Sequence, residues 1–529
     1  MMLLRHNTRA HVLLIVIITL VTRILYLCSP AGRIGDADEA VFGMMAQGIE
    51  SLKEFPIYCW EAHYAGAPVA YVAALIFHFF GPGFVQLRLA MLPAALFTPI
   101  LFYFIYRKMF EPAEALAGAL FLVFCPFLVL HHTMAAYGGY GEIYFGTALI
   151  ILLSWRMRED KVQTHVLHLV FLLGFICGLF FYILFLIFPA IIAFALPSIL
   201  RSEKHRNKTI LSFSLGSMIG VLPLIVYNFI NSGGTFLRAA GRSLSVGRDS
   251  INSPIVELLN QIILDKINYL KTWLMSAPEM FGQYILPDLF GKWILVVAGS
   301  FLIFVMVWFA GSVFFNTDTL KEKTYYLRQF SAFFIVLILF QWVANLNRAR
   351  HMLPLLAIIP VALFTLTKHP FLSKKVAIGA MCLICGLQAI GWSTKMQHID
   401  FDPTPVVDVM KEKGIKEFYG SYWTTYPIMF SSNGELVGSP YLLPYNEILS
   451  DRRPNFTKQV RSSLSPAFIF AGGEQRLKDN FQQFLIENCI KSKSIEVGSA
   501  TIFWELSKPV HAMVKSHWKT SFVLDGSLS

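Results

Sequence analysis

The sequence predicts a polytopic α-helical membrane protein that ends in a small soluble α/β domain. Of its 529 residues, 55% are hydrophobic and only 15% are charged, and the mean hydropathy is +0.57, which excludes an ordinary soluble globular protein. Apolar runs such as 11–27, 84–106 and 293–315 are long enough to cross about 30 Å of hydrocarbon. The composition changes after Gly391, and charged residues and turn-forming residues appear throughout 400–510.

The net charge of +11 is explained by membrane topology. Basic clusters occur at every second hydrophobic break, as the positive-inside rule predicts for cytoplasmic loops. They are Arg5 and Arg9; Arg107 and Lys108; Arg156, Arg158 and Lys161; Arg201, Lys204, Arg206 and Lys208; Lys321, Lys323 and Arg328; and Lys368, Lys374 and Lys375. We therefore expect a cytoplasmic N-terminus and about eleven spans. The predicted spans are 11–28, 84–106, 113–131, 140–155, 165–182, 184–200, 209–230, 293–315, 329–345, 352–367 and 376–392.

The predicted membrane domain covers residues 1–392 and carries two long outer loops, 29–66 and 231–292. In the first loop, 37–51 has the pattern of a helix that lies on the membrane surface. The run 67–80 is short for a crossing and is interpreted as re-entrant or interfacial. Residues 393–529 form the predicted α/β domain, and the odd span count places it on the outer face. Its last residues, 508–529, are expected to be a poorly ordered tail.

The densest group of chemical side chains follows the first span, in Gly35-Asp36-Ala37-Asp38-Glu39-Ala40. One interpretation is structural: carboxylates at a helix N-terminus offset the positive end of the helix dipole. The other is catalytic, because transfer of a glycosyl group to a hydroxyl requires a base. In that case Asp38 is the expected base, and Asp36 or Glu39 orients it, binds sugar hydroxyls or helps to hold a divalent cation. Asp36 and Asp38 are the candidate metal ligands, although an Asp-x-Asp pair is a weak metal signal.

An ordered set of motifs in residues 1–160 resembles a known family. The motifs are the first span, Asp38-Glu39, Glu61 with Tyr64-x-Gly66-x-Pro68, Phe80-Gly81, Arg88-Leu89 and the break at Arg107-Lys108. They resemble the bacterial lipid-phosphate-sugar glycosyltransferases of the GT-C superfamily, which are family-39-like relatives of protein O-mannosyltransferase and lipid A aminoarabinose transferase. Residues 348–355 are similar to the Arg-x-x-Leu-Pro stretch that such proteins carry near a late span.

The resemblance implies roles for individual residues. Asp38 matches the acidic residue of the first outer loop, Glu61 matches the one ahead of the Gly-x-Pro turn, and Glu142 sits where a third carboxylate is common. A departure occurs in Glu61-Ala62-His63-Tyr64, because family members with Glu-Lys-Pro place a lysine near the donor phosphate. The expected phosphate contacts are therefore His63, Arg88 or a later arginine.

Other candidate substrate contacts lie further along the chain. Tyr137 and Glu142 flank three glycines at the mouth of a span, where a tyrosine belt at the interface is the alternative interpretation. Arg348 and Arg350 follow a predicted span end, and arginine suits phosphate because its planar fork donates paired hydrogen bonds. In the C-terminal domain, the aromatic segment 419–426 is interpreted as a packed strand or, alternatively, as a surface that stacks on sugar rings.

The resemblance implies an inverting transfer of sugar from a polyprenyl-phosphate donor, of undecaprenyl type, to a hydroxyl of a lipid, polysaccharide or protein. The expected site is the periplasmic face of a bacterial inner membrane, in contact with membrane lipids and without nucleic acid. The alternative function is a transporter or flippase for an anionic lipid-linked substrate, and a lipid-anchored scaffold is a third. Transporters place ionisable groups near the membrane midplane, whereas most charges here fall at span ends.

Overall fold

A computed structural model describes the chain over residues 2–159, 163–200, 206–236, 322–344, 348–367, 372–442, 451–516 and 519–524, together with residues 272, 311 and 346. Helices dominate the described residues up to position 395. Their bounds are α1 Met2–Cys28, α2 Pro30–Arg33, α3 Ala37–Glu50, α4 Pro68–Phe80, α5 Phe84–Leu89, α6 Leu92–Arg107, α7 Pro112–Val123, α8 Phe127–Met134, α9 Tyr140–Glu159, α10 Gln163–Ile183, α11 Phe185–Leu200, α12 Arg206–Ile230, α13 Glu322–Val343, a 3₁₀ segment Ala349–Ala357, α14 Ile358–Leu366 and α15 Lys374–Lys395.

The described residues confirm a multi-pass membrane protein. Six helical stretches of these residues are long and apolar enough to cross a membrane, where α5 and α6 count together as the stretch Phe84–Arg107. The number is seven if one bent pair also counts as a single span. The six stretches correspond to predicted spans 11–28, 84–106, 165–182, 209–230, 329–345 and 376–392. The predicted span 293–315 and most of the outer loop 231–292 lie outside the described residues.

Two of the predicted continuous spans are broken. The span predicted at 113–131 consists of α7 and α8, which are bent by 74° where Pro126 precedes α8. Proline has no N–H for the helix ladder and its ring clashes with the preceding turn, so it breaks the helix. The span predicted at 184–200 corresponds to α11, which begins as a 3₁₀ turn and contains a π-helical stretch, Ile191–Ala195. The prediction of an uninterrupted helix is wrong for both.

The described chain divides into two compact units. The first contains Met1–Leu25, Met91–Met134 and Gly139–Lys395, and the second contains Tyr26–Ala90, Ala135–Gly138 and Met396–Ser529. The predicted domain boundary after residue 392 therefore lies close to a unit boundary. The predicted outer loop 29–66, however, belongs to the same unit as the C-terminal residues.

The C-terminal part of the second unit is an α/β layer. Its elements are α16 Thr404–Glu412, β1 Glu417–Ser421, α17 Tyr422–Ser431, β2 Val437–Leu442, α18 Pro454–Arg461, β3 Ala467–Phe470, α19 Gln475–Glu487, β4 Lys493–Val497 and β5 Ala500–Trp504. The sheet has the order β2-β1-β3-β5-β4, in which β1 is parallel to β2 and β3, and β5 is antiparallel to β3 and β4. Phe468, Phe470, Phe481 and Phe503 form its buried core, so the predicted α/β domain is present.

Residues 508–529 are not simply a tail. Strands β6 Val510–Ser516 and β7 Lys519–Leu524 form an antiparallel hairpin. Val510 and Ala512 are buried in the α/β core, and Phe522 packs against that core. The prediction of a poorly ordered tail is wrong for these strands, because alternate apolar side chains of the hairpin bury against the sheet domain.

Candidate active site

Helix α3 begins at the acidic motif. Asp36 is the N-cap residue, and its Oδ1 accepts a hydrogen bond of 3.1 Å from the backbone N–H of Glu39. Such a cap satisfies one of the free N–H groups at a helix start. The structural interpretation of the motif therefore holds for Asp36. Its second oxygen, Oδ2, accepts a hydrogen bond of 2.6 Å from the hydroxyl of Tyr137, a predicted substrate contact.

Glu39 and Arg88 form a buried ion pair. Both side chains are 0% exposed, and Arg88 donates through Nε to Glu39 Oε1 at 2.8 Å and through Nη2 to Oε2. Arg88 also donates to the carbonyl oxygens of Ala31 and Ile34, at 2.6 and 3.1 Å. The predictions that Glu39 is catalytic and that Arg88 binds the donor phosphate are therefore revised. A fully enclosed bidentate pair positions the chain around it instead.

The close approach around this pair depends on Gly35. A Cβ atom at this position would lie 2.2 Å from the ring of Phe84 and 2.9 Å from Glu39 Oε2. Only glycine fits there without displacing the ion pair. The glycine that opens the acidic motif thus has a steric reason for being there.

Asp38 is held by a residue of the α/β layer. The hydroxyl of Tyr422, at the start of α17, donates a hydrogen bond of 2.7 Å to Asp38 Oδ1. Tyr422 is only 1% exposed, whereas Asp38 is partly exposed. Among the described residues, Oδ2 of Asp38 receives no hydrogen bond, so this oxygen is open to a proton-donating group.

Arg452 and Arg453 both contact Trp60, and Arg452 also contacts the Tyr422 hydroxyl that holds Asp38. Arg452 donates through Nε to the Tyr422 hydroxyl at 3.3 Å and through Nη1 to the carbonyl of Trp60 at 3.2 Å. Arg453 pairs with Glu54, and its Cζ lies 3.7 Å from the centroid of the Trp60 ring. Neither arginine was predicted to lie here, and neither was the contact of Tyr422 with Asp38, because nothing in the local sequence connects residues about 400 positions apart.

The predicted residues Glu61, His63 and Tyr64 lie in a loop between α3 and α4. The backbone of this loop closes through a bridge between Tyr58 and Gly66. Glu61, His63 and Ala65 all have positive φ, at 53°, 56° and 63°, a conformation that side chains disfavour and that is common at functional sites. Glu61 is exposed, while His63 and Tyr64 are half-buried. The structure leaves their roles as proposals.

Burial and crowding make Asp36 a weak acid. The pKa of Asp36 is raised from 3.8 to about 7, first by burial and then by the neighbouring carboxylates of Asp38 and Glu39, while hydrogen bonds from Tyr137 and from the Glu39 N–H oppose the rise. Burial also raises the pKa of Tyr137 well above its usual value. Tyr137 therefore keeps its proton and acts as a donor to Asp36.

The predicted divalent cation has no complete ligand set in the described residues. No group of three His, Cys, Asp or Glu side chains converges there. Glu39 is occupied by Arg88, which leaves only Asp36 and Asp38 as carboxylate ligands, fewer than a hard cation usually takes. The residues described do not fit a preformed metal site, and we assign no chemical step to a metal.

The remaining predicted contacts belong to the first unit. Glu142 lies in the first turn of α9, and its Oε2 is buried without a hydrogen-bond partner among the described residues. Arg350 lies with its Cζ 5.7 Å from the centroid of the Tyr140 ring, and His351 lies 6.3 Å from the same ring. Arg348 is exposed. Arg350, His351 and Tyr140 thus form a mixed cationic and aromatic group.

Comparison with known proteins finds matches in structure only. No family model and no curated protein matches the sequence. The crystal structure of the Archaeoglobus fulgidus oligosaccharyltransferase in complex with Zn and sulfate matches with a TM-score of 0.54 and 11% identity, over 93% of this chain and 72% of that chain. The chain therefore shares the fold of this oligosaccharyltransferase.

Two further solved structures resemble the chain. The archaeal oligosaccharyltransferase AglB from Archaeoglobus fulgidus, in complex with an inhibitory peptide and a dolichol-phosphate, matches with a TM-score of 0.52 and 11% identity, over 94% of this chain and 74% of that chain. ArnT from Cupriavidus metallidurans, bound to undecaprenyl phosphate, has a TM-score of 0.48 and 12% identity, over 94% and 98% of the two chains. The oligosaccharyltransferase matches confirm the predicted GT-C-like fold class.

Proposed function

We propose that this chain is an inverting glycosyltransferase that moves a sugar from a polyprenyl-phosphate donor, of undecaprenyl type, to a hydroxyl of a lipid, polysaccharide or protein. The observation that carries the proposal is the carboxylate of Asp38, with one oxygen fixed by Tyr422 at 2.7 Å and the other open among the described residues. The shared fold supports a lipid-linked donor, since the similar oligosaccharyltransferase structure holds a dolichol-phosphate.

In the proposed reaction the acceptor oxygen attacks the anomeric carbon on the face opposite the phosphate. Asp38 Oδ2 takes the hydroxyl proton, the new glycosidic bond forms, and the bond from the anomeric carbon to the phosphate oxygen breaks. Its electron pair leaves with the lipid phosphate, so the anomeric configuration inverts. A positioned base of this kind contributes about 10²- to 10⁴-fold to a rate.

The neighbouring carboxyl groups support this use of Asp38. Glu39 is neutralised by Arg88, and Asp36, with a pKa of about 7, is half-protonated at neutral pH. When Asp36 is protonated, it adds no negative charge beside the base. Adjacent carboxyl groups that lie in different environments and take different roles are typical of acid–base sites.

The contacts with the donor phosphate are also proposals. With Arg88 enclosed by Glu39, His63, Arg348 and Arg350 are each a separate proposal for a phosphate contact. Glu61, Tyr64 and Glu142 are each a separate proposal for a contact with the sugar or the acceptor. A guanidinium group stabilises the charge that develops on the leaving phosphate. We place the reaction on the periplasmic face of a bacterial inner membrane, because the basic clusters alternate along the chain.

The test is transfer by membranes that contain the Asp38→Asn variant. Membranes are incubated with radiolabelled undecaprenyl-phosphate sugars and an envelope extract as acceptor. We expect transfer by wild type, a loss of about 10²-fold or more for Asp38→Asn, and wild-type transfer for Asp408→Asn, which alters an exposed carboxylate of α16. Undiminished transfer by Asp38→Asn at equal expression and folding would exclude Asp38 as the base.

One observation favours the alternative function of transport. Arg23 lies in α1 and is 2% exposed; its Nη1 donates to the carbonyl of Val123 at 2.9 Å, while its Nε has no partner among the described residues. Buried charges within spans often mark ion or substrate paths. A flippase assay in vesicles separates the two functions: lipid-linked sugar crossing the bilayer with the Asp38→Asn variant would support transport.

A further inference from the structure

A chain of hydrogen bonds connects the α/β layer of the second unit to the proposed base. Arg452 Nε donates to the Tyr422 hydroxyl at 3.3 Å, and that hydroxyl donates to Asp38 Oδ1 at 2.7 Å. We infer that Tyr422 and Arg452 are positioning residues for Asp38, and that the C-terminal α/β layer is therefore a required part of the active site. The inference rests on the proposed function and deepens it.

Tyr422 is placed for this role by its own helix. It is the first residue of α17, directly after strand β1, and it is 1% exposed. Its ring packs edge-to-face against the ring of Tyr426, with centroids 5.0 Å apart. Because the ring is enclosed, the hydroxyl has a fixed direction and holds the Asp38 carboxylate in one rotamer.

Arg452 is itself held in place on three sides. Its backbone N–H donates to the hydroxyl of Tyr426 at 2.6 Å, its Nη1 to the carbonyl of Trp60 at 3.2 Å, and its Nε to Tyr422. A guanidinium that donates to a phenol oxygen polarises the O–H bond and makes the phenol a stronger donor. Arg452 thus strengthens the hydrogen bond to Asp38 without touching the carboxylate.

The comparison with Glu39 shows why an indirect contact matters. Glu39, the next residue on α3, is paired directly with Arg88 and fully enclosed. Both oxygens of Glu39 accept hydrogen bonds from Arg88, so neither is available to an incoming hydroxyl. Asp38 accepts from the phenol of Tyr422 through Oδ1 alone, so its orientation is fixed while Oδ2 stays open among the described residues. The same helix turn therefore holds one carboxylate for structure and one for chemistry.

The charged and titratable groups around Asp38 come from several elements. Asp36 caps the helix α3 that carries Asp38 and Glu39, and Tyr422 and Arg452 approach from the α/β layer. Arg88 donates to Glu39, and Tyr137 donates to Asp36. Loss of the Tyr422 hydroxyl removes the hydrogen-bond donor that the described residues supply to Asp38. Because a carboxylate that loses a donor to its charged form binds a proton more readily, we expect the acidic limb of the pH–rate profile to move to higher pH.

The experiment measures transfer kinetics and pH profiles of Tyr422→Phe in membranes of the full chain. The control is Tyr419→Phe, which removes a buried hydroxyl of the same layer that contacts His511 at 3.2 Å. We expect Tyr422→Phe to lower kcat about 10-fold or more, the effect of one hydrogen bond to a charged group. KM for the donor should change less than about twofold, and the acidic limb should move to higher pH. Tyr419→Phe should leave both kcat and the limb at wild-type values.

Arg452 provides a second variant. Arg452→Gln should lower kcat and move the acidic limb in the same direction, and Arg452→Lys should recover part of the loss because it keeps the charge. The inference would be overturned if Tyr422→Phe kept the kcat and the pH profile of the wild type, or if Tyr422→Phe and Tyr419→Phe had equal effects. In both cases, transfer by the wild-type protein would still support the proposed function. No transfer by wild type would instead refute the proposed function itself.

Discussion

Asp36, Asp38 and Glu39 follow one another at the start of one helix, yet each carboxyl group is in a different state. Asp36 caps α3 and has a pKa near 7, Asp38 accepts from a phenol, and Glu39 is locked to an arginine. The three carboxyl groups differ in the side chains that contact their oxygen atoms. They are neighbours in the sequence, but those contacting side chains come from distant segments and give each carboxyl group a different role.

The Glu39–Arg88 pair leads to a prediction about stability. Replacing Arg88 by Met leaves the buried carboxylate of Glu39 without its charged partner and with a hydrogen bond from the Ala136 N–H, which costs about 3–5 kcal/mol. The double variant Glu39→Leu with Arg88→Met removes both charges and should recover most of that loss. Thermal unfolding in detergent measures both effects. If Arg88 instead bound the donor phosphate, Arg88→Met would raise KM and leave the unfolding temperature unchanged.

The raised pKa of Asp36 predicts how stability depends on pH. Between the ordinary pKa of 3.8 and the folded value of about 7, the folded protein holds a proton that the unfolded chain has released. The contribution of Asp36 to the free energy of unfolding is therefore full below the ordinary value and is lost as pH rises toward 7. Each tenfold difference in proton affinity between the folded and unfolded states corresponds to about 1.4 kcal/mol.

Asp36→Asn removes this titration. We expect the unfolding temperature of wild type, relative to Asp36→Asn, to fall as pH rises from 4 to 7. Thermal scans at several pH values measure the difference, and Asp408→Asn, at an exposed site, controls for general charge effects. A difference between wild type and Asp36→Asn that is constant over this range would contradict the buried, crowded state of Asp36.

At the scale of elements, α3 and α17 are packed against each other through a glycine. A Cβ atom at Gly43 would lie 2.5 Å from the ring of Phe430, and this ring also contacts Phe84, with centroids 4.8 Å apart. Phe430 is 2% exposed, so its ring has little room to move. The position of α17, and with it Tyr422, depends on this contact.

A pair of substitutions tests that contact. Gly43→Ala should lower the stability by about 1–3 kcal/mol through overpacking, and it should also lower transfer because α17 carries Tyr422. Phe430→Leu in the same chain makes room for the new methyl group and should restore part of both losses. Additive effects of the two substitutions on unfolding temperature and transfer would show that the two side chains do not meet.

The same elements show what a single sequence can predict. The α3 helix, its acidic N-terminus and the short α4 follow from capping residues and apolar spacing, so the sequence predicts them. The interpretation of segment 419–426 as one packed strand is wrong, because β1 ends at Ser421 and α17 begins at Tyr422. Aromatic residues favour a strand by propensity. Here the segment after Ser421 is a helix, and that helix buries Thr425, Tyr426 and Phe430.

On the scale of the whole molecule, apolar run length and charge alternation are sufficient to predict a multi-pass bundle with an α/β domain after it. They are not sufficient to show that residues 26–90 and 396–529 form one compact unit. That association depends on contacts such as Asp38 to Tyr422 and Glu54 to Arg453. Contacts between residues so distant along the chain leave no periodic signal in a single sequence, so the partner of the base could not be found from it.

The proposed topology of the whole chain can be tested by cysteine labelling. Charge alternation predicts that the N-terminus is cytoplasmic and that residues 396–529 lie outside. In a chain whose exposed Cys28, Cys382 and Cys489 are replaced by serine, Trp423→Cys introduces a thiol at a position that is 43% exposed. We expect a membrane-impermeant maleimide to label Trp423→Cys in spheroplasts, because the periplasmic face is open there.

Arg156→Cys, at an exposed position in a predicted cytoplasmic cluster, should be labelled only after the membrane is permeabilised. Labelling of Trp423→Cys that also requires permeabilisation would place the α/β layer, and with it Asp38, on the cytoplasmic side and would exclude a periplasmic reaction.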